Sequence, residues 1–131
     1  MEIFAKKVKH IDELHFEHQL WIAEMGFYND ELMVYQKYLD HIATRNTGIE
    51  VRIQIEHFQN QFIIHREQLD ILKHDIKIHD QWLARFAAQH PTAIDHYVFA
   101  DHNNMRDRAH SFKKLYTELK AEFIAFVSAR M

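Results

Sequence analysis

A chain of 131 residues with two glycines and one proline has almost nowhere to turn. Glycine leaves a helix most readily and proline stops one outright. Gly26, Gly48 and Pro91 are therefore the whole supply of strong breakers. Few breakers mean few, long elements. Glutamate, lysine, glutamine, leucine, alanine and methionine lose little entropy in a helix, and all are plentiful here. The predicted class is all-α.

The pattern of apolar residues says how such helices pack. Core candidates recur at Ile11, Leu14, His18, Trp21, Met25, Tyr28, Leu32, Tyr35, Leu39 and Ile42, with spacings alternating three and four. A second run takes Val51, Ile55, Phe58, Phe62, His65, Leu69, Leu72, Ile76, His79, Leu83 and Phe86. A third takes Val98, His102, Met105, Ala109, Phe112, Tyr116, Leu119, Phe123 and Phe126. A 3.5-residue period held this long is the seam of a coiled-coil-like bundle.

Punctuation falls where the runs stop. Asn46 can close the first helix in the left-handed conformation, and Thr47 with Glu50 can form a capping box for the second. Pro91 ends the second helix, and Thr92 with Asp95 starts the third. The predicted helices span roughly 8–45, 48–89 and 93–130, one domain covering 1–131. Links this short force antiparallel neighbours, so the chain should form an up-down-up bundle of three long helices.

A second apolar stripe lies off the seam. Phe16, Leu20, Ala23, Phe27 and Val34 fall on the outer side of helix one, and Ile64, Ile71 and Ile78 recur every seven residues on helix two. Folding about Asn46 and Thr47 pairs residues whose numbers sum to about 93. That puts Phe16 near Ile78, and Phe27 and Ala23 near Ile64 and Ile71, merging the stripes along the groove between helices one and two. A patch of that length marks a contact surface, most often self-association about a two-fold axis. A wide core that swallows these residues is the structural alternative.

Twelve histidines are a heavy load, and nine sit in one half of the folded rod: His10, His15, His18, His74, His79, His90, His96, His102 and His110. Folding about His90 and Pro91 pairs numbers summing to about 181. His79 then lies level with His102, and with residue 14 of helix one, which His15 and His18 flank. Asp80 and Asp101 border the same level. Imidazoles from three helices can supply three or four nitrogen ligands to zinc, iron, nickel or copper, with the carboxylates completing the shell or orienting the rings. The chain has no His-x-x-x-His, His-x-x-x-Glu or Glu-x-x-His spacing, so it lacks the paired Glu-x-x-His segments of ferritin-like di-iron sites. A buried polar layer that fixes register is the competing account. His65, level with Tyr28 and near Tyr116, is expected to be satisfied by their hydroxyls.

Other chemistry is excluded or unsupported. There is no cysteine, hence no disulfide and no thiolate ligand. Two isolated glycines make no phosphate loop, and Ser111 and Ser128 show no strained nucleophile turn. A net charge of −3 with both signs interspersed gives no footprint for nucleic acid. No stretch of about 18 apolar residues occurs, so no membrane span and a cytoplasmic location are expected. Two classes of function follow. One is a non-enzymatic assembly module, a homo-oligomer (a dimer by default) or a binder of another protein. The alternative is a metal-binding bundle using His15, His18, His79 and His102.

Overall fold

A computed structural model describes the backbone of residues 2–89 and 94–130 and the side chains of 11–89 and 100–130. It contains three long helices, α1 (Glu2–Arg45), α2 (Ile49–Gln89) and α3 (Ile94–Arg130). The chain is an all-α three-helix bundle, with α1 and α2 its most extensively packed pair. α1 begins six residues before the predicted start at 8, since Glu2 to Lys7 are mostly good helix formers that need no seam to stay helical. The second turn at 90–93 lies outside the described residues. So do the side chains of Lys6, Lys7, Lys9, His10, Asp95, His96 and Val98.

Contacts between helices fix their directions. His18 meets His79 and Tyr35 meets Phe62, pairs that sum to 97, so α1 and α2 are antiparallel. His79–His102 and Phe58–Phe123 both sum to 181, as folding about Pro91 predicts. His18–His102 and Tyr28–Phe112 share a difference of 84, so α1 and α3 run parallel. The first hairpin is thus one turn off its predicted level, and His79 lies opposite His18 instead of residue 14.

The cause sits in the link. Asn46 does not adopt a left-handed conformation. Its amide and its side-chain Nδ2 both donate to the Ile42 carbonyl, at 3.1 and 2.9 Å, so α1 closes with one more helical bond. The Arg52 amide then donates to the Gly48 carbonyl at 3.0 Å. Gly48, not Thr47, is therefore the N-cap, which takes Thr47 and Glu50 out of capping-box spacing. The chain rises further before it reverses, and the level moves.

Every described residue that is buried belongs to a predicted seam. Phe62, Leu32, Leu39 and Ile76 are completely inaccessible, at the centre of a long aromatic and aliphatic core. A smaller cluster around Leu14 and Leu83, with Trp82 and Phe86 against it, fills one end of the rod. The imidazoles of His18, His79 and His102 form the layer between the two. Mid-helix Gly26 serves no close helix approach, because a Cβ placed there meets nothing within 4 Å. Among the described residues no helix is long and apolar enough to cross a membrane.

The outer stripe is not swallowed by the core: Phe27 is 58% exposed and Ile71 50%. Nor do its two halves merge between α1 and α2. Those helices meet through the flank carrying His15 and Asp80, whereas Phe16 and Leu20 line the α1–α3 groove and Ile78 the α2–α3 groove. The flank of a helix that faces a given neighbour depends on the handedness of the bundle, which the heptad count leaves open. The two stripes run on either side of α3.

Candidate metal centre

Three of the four predicted histidines converge. His18 and His79 come from antiparallel neighbours and His102 from α3, each at a seam position, so the heptads aim all three inward. Both His18 and His102 are 1% exposed and His79 is 6%. One ring nitrogen from each lies within 4.8 Å of the others. His18 Nε2 and His102 Nδ1 are 3.1 Å apart. Trp21 stacks on His102 at 5.1 Å and Trp82 on His79 at 5.8 Å between ring centroids, fixing the planes of those imidazoles.

The outer nitrogens of two rings are braced by carboxylates. His18 Nδ1 lies 2.8 Å from Asp80 Oδ1, and a carboxylate only accepts, so Nδ1 carries the hydrogen. His102 Nε2 donates likewise to Glu17 Oε1 at 2.5 Å. Two donors of Arg106 hold Glu17 from the other side at 2.8 and 3.0 Å. The Arg106 guanidinium keeps Glu17 well below the usual carboxylate range, at about 2, with the His102 bond adding to it against a smaller opposing effect of burial. Burial alone would raise Asp80, but the hydrogen bonds from His18 and His15 outweigh it and hold the carboxyl low. Both braces are ionised acceptors.

Counting hydrogens exposes a deficit. Each carboxylate needs an N–H aimed at it, and the contact between His18 and His102 needs a third. Two neutral imidazoles carry two between them. Burial pushes His102 below the ordinary histidine range, so a third proton is costly on that ring. His79 Nε2 is buried and, among the described residues, has no hydrogen-bond partner at all. Desolvation, then the nearby charges of His18 and His102, depress His79 to about 4. In buried surroundings an unpaired polar nitrogen and an unfilled hydrogen bond each cost about 1–3 kcal/mol. With hydrogens on the outer nitrogens of His18 and His102, lone pairs on His18 Nε2 and His102 Nδ1 face each other without a donor, and His79 Nε2 is unpartnered whichever of its nitrogens carries the hydrogen. Three converging imidazoles can hold a divalent transition-metal ion, and the carboxylate–histidine bracing is of the kind such sites use.

The remaining predicted residues fall elsewhere. His15 is half exposed and its Nδ1 donates to Asp80 from the solvent side, at 2.8 Å, so it buttresses the brace and joins no ligand set. Asp101 is exposed, and its charge acts on His79 without a hydrogen bond. His65 donates from Nδ1 to the Gln61 carbonyl one turn back at 2.8 Å, and so needs no tyrosine. Tyr116 turns instead to Glu31.

Glu17 and Arg106 were not among the predicted residues, yet a signal exists. Fourteen residues along, Tyr116 donates to Glu31, which Lys120 also contacts at 2.8 Å. A seam residue of α3, a glutamate flanking the α1 seam and a cation four residues further on α3 thus form the same clasp twice, two heptads apart. The clasp is a general device for docking α3 on α1. What distinguishes its first copy is that the seam residue is a histidine with a second nitrogen turned toward two more histidines.

Comparison with family models, curated proteins and solved structures gives no match to this chain, so the functional reading rests on this geometry.

Proposed function

We propose that the bundle binds one divalent transition-metal ion on His18, His79 and His102, with Asp80 and Glu17 orienting two of the rings. The observation that carries this is the convergence of three buried imidazoles, one ring nitrogen of each within 4.8 Å of the others, with His79 Nε2 wholly unpartnered. Metal–nitrogen distances of about 2.0–2.1 Å set the nitrogens of a tetrahedral shell roughly 3.3 Å apart. The His18–His102 pair is already at 3.1 Å. An all-imidazole, thiolate-free set suits zinc, copper, nickel or ferrous iron. A buried polar layer without metal would need a donor for every one of these nitrogens.

Metal content of protein made without a histidine tag or nickel column, followed by titration of the stripped protein, tests this. One equivalent per chain should bind and be lost in His79→Leu, which keeps the layer apolar and the core filled. At about 100 Kd of free metal the stripped protein should gain about 2.7 kcal/mol. Failure to bind zinc, copper, nickel or cobalt more tightly than about millimolar, or binding that ignores His79→Leu, overturns the proposal.

A second reading, assembly, draws on the exposed stripes. Phe27 and Ile71, both at least half exposed, are large apolar side chains at regular heptad spacing. Because the stripes border α3 separately, self-association would use one or both grooves beside α3. Sedimentation should then show an oligomer that Phe27→Glu or Ile71→Lys dissociates; a wild-type monomer at high concentration removes this reading.

A further inference from the structure

The three flanks of the histidine layer are not equivalent. Between α1 and α2, Asp80 bridges His15 and His18. Between α1 and α3, Glu17 lies across the layer, held by His102 and Arg106. Along the rod axis the layer is closed by apolar side chains, Leu14 and Leu83 on one side and Met25 and Ile76 on the other, none of which is a good ligand to a hard or borderline cation. Only the flank between α2 and α3 lacks a bridge at this level among the described residues. There His79 lines an open groove with Trp82, Asn104 and Met105, while the nearest clasp, Arg108 to Asp75 at 2.8 Å, sits one turn away.

We propose that a metal ion held by the three histidines keeps a fourth coordination position open to the α2–α3 groove, where water or a small anion from solvent binds. This rests on the metal-binding reading above. Three neutral imidazoles leave the ion's double charge uncompensated within its ligand shell. Asp80 and Glu17 are already engaged as acceptors of histidine hydrogens, and Asp101, which lines the same groove, is exposed to solvent, so an incoming ligand completes the shell. Three protein ligands with one exchangeable position is the arrangement that lets a metal activate water or polarise a bound oxygen, whereas four protein ligands make a closed, structural site.

The cobalt(II) form tests this, because its visible spectrum reports coordination number and ligand exchange. Azide is the probe. Titration should shift the spectrum saturably. Asn104→Trp, on the α2–α3 groove, should weaken azide binding by at least about tenfold. Asn103→Trp, on the opposite groove, should leave it unchanged. No azide response from a cobalt-loaded protein overturns the open position while the metal site stands. A response that appears only in Asp101→Asn overturns it too, by showing that Asp101 fills the position. Greater loss in Asn103→Trp than in Asn104→Trp assigns entry to the other flank and overturns the proposal. Failure to bind cobalt at all removes both readings.

Discussion

Replacing His79 by leucine in the metal-free protein should flatten the acid side of its stability profile. In the fold His79 titrates at about 4, against an ordinary value of 6.5. As pH falls through 6.5 the unfolded chain takes up a proton that the folded chain refuses until about 4, so stability is full above that window and drains away within it. At pH 5 the two values give a loss of about 2 kcal/mol relative to pH 7.5, rising to about 3 kcal/mol below pH 4. With an unfolding entropy of about 2.1 cal/mol/K per residue, 2 kcal/mol is a drop of about 7 °C in Tm. The low carboxylates act later: Glu17 stabilises above 4.5 and loses that contribution between 4.5 and about 2, outside the measured interval. His102, also held down by burial, adds to the acid loss in both proteins. Urea unfolding at pH 7.5 and pH 5 in the presence of a chelator, for wild type and His79→Leu, isolates the effect. Wild type should lose about 2 kcal/mol more than the variant over this step. Equal losses would mean that His79 is not buried neutral, and the unpartnered nitrogen would cease to be an argument for metal.

Two further outcomes follow from the geometry. Gly26→Ala should stabilise the protein by about 0.5–1 kcal/mol in thermal or urea unfolding, since the site is helical and has room for the methyl group. Glu17→Gln should weaken metal binding by about 10–100-fold through loss of the brace on His102, measured by competition with a chromophoric chelator, while circular dichroism at pH 7.5 stays helical.

Over the described residues the seams were legible because burial in a long bundle is a periodic property, and Phe62 or Tyr116 announces itself by its place in the repeat. Three of the four predicted histidines were found for the same reason. Their partners were harder to read. Asp80 was predicted as support, but Glu17 is an ordinary flanking glutamate until the parallel pairing of α1 with α3 sets Arg106 beside it. His15 was grouped with His18 because both flank one level, but it lies off the seam, and the ring stays on the solvent side of Asp80. The apolar stripe failed on handedness: the heptad places Phe27 and Ile71 on corresponding flanks, but not on the flank that faces a given neighbour. Local patterns specify each helix; the offset and hand of the assembly come from a few hydrogen bonds at one turn and from packing between distant residues.

The imidazole layer also divides the rod mechanically. Beyond it, the Leu14–Leu83 cluster is separate from the main apolar core and joins it only across the imidazoles and the tryptophans stacked on them, and a short apolar plug of that size has little cooperative strength of its own. Amide protons of α2 near Leu83 should exchange faster than those near Ile76 in the metal-free chain, and a bound ion would rivet the two halves so that the whole length unfolds as one.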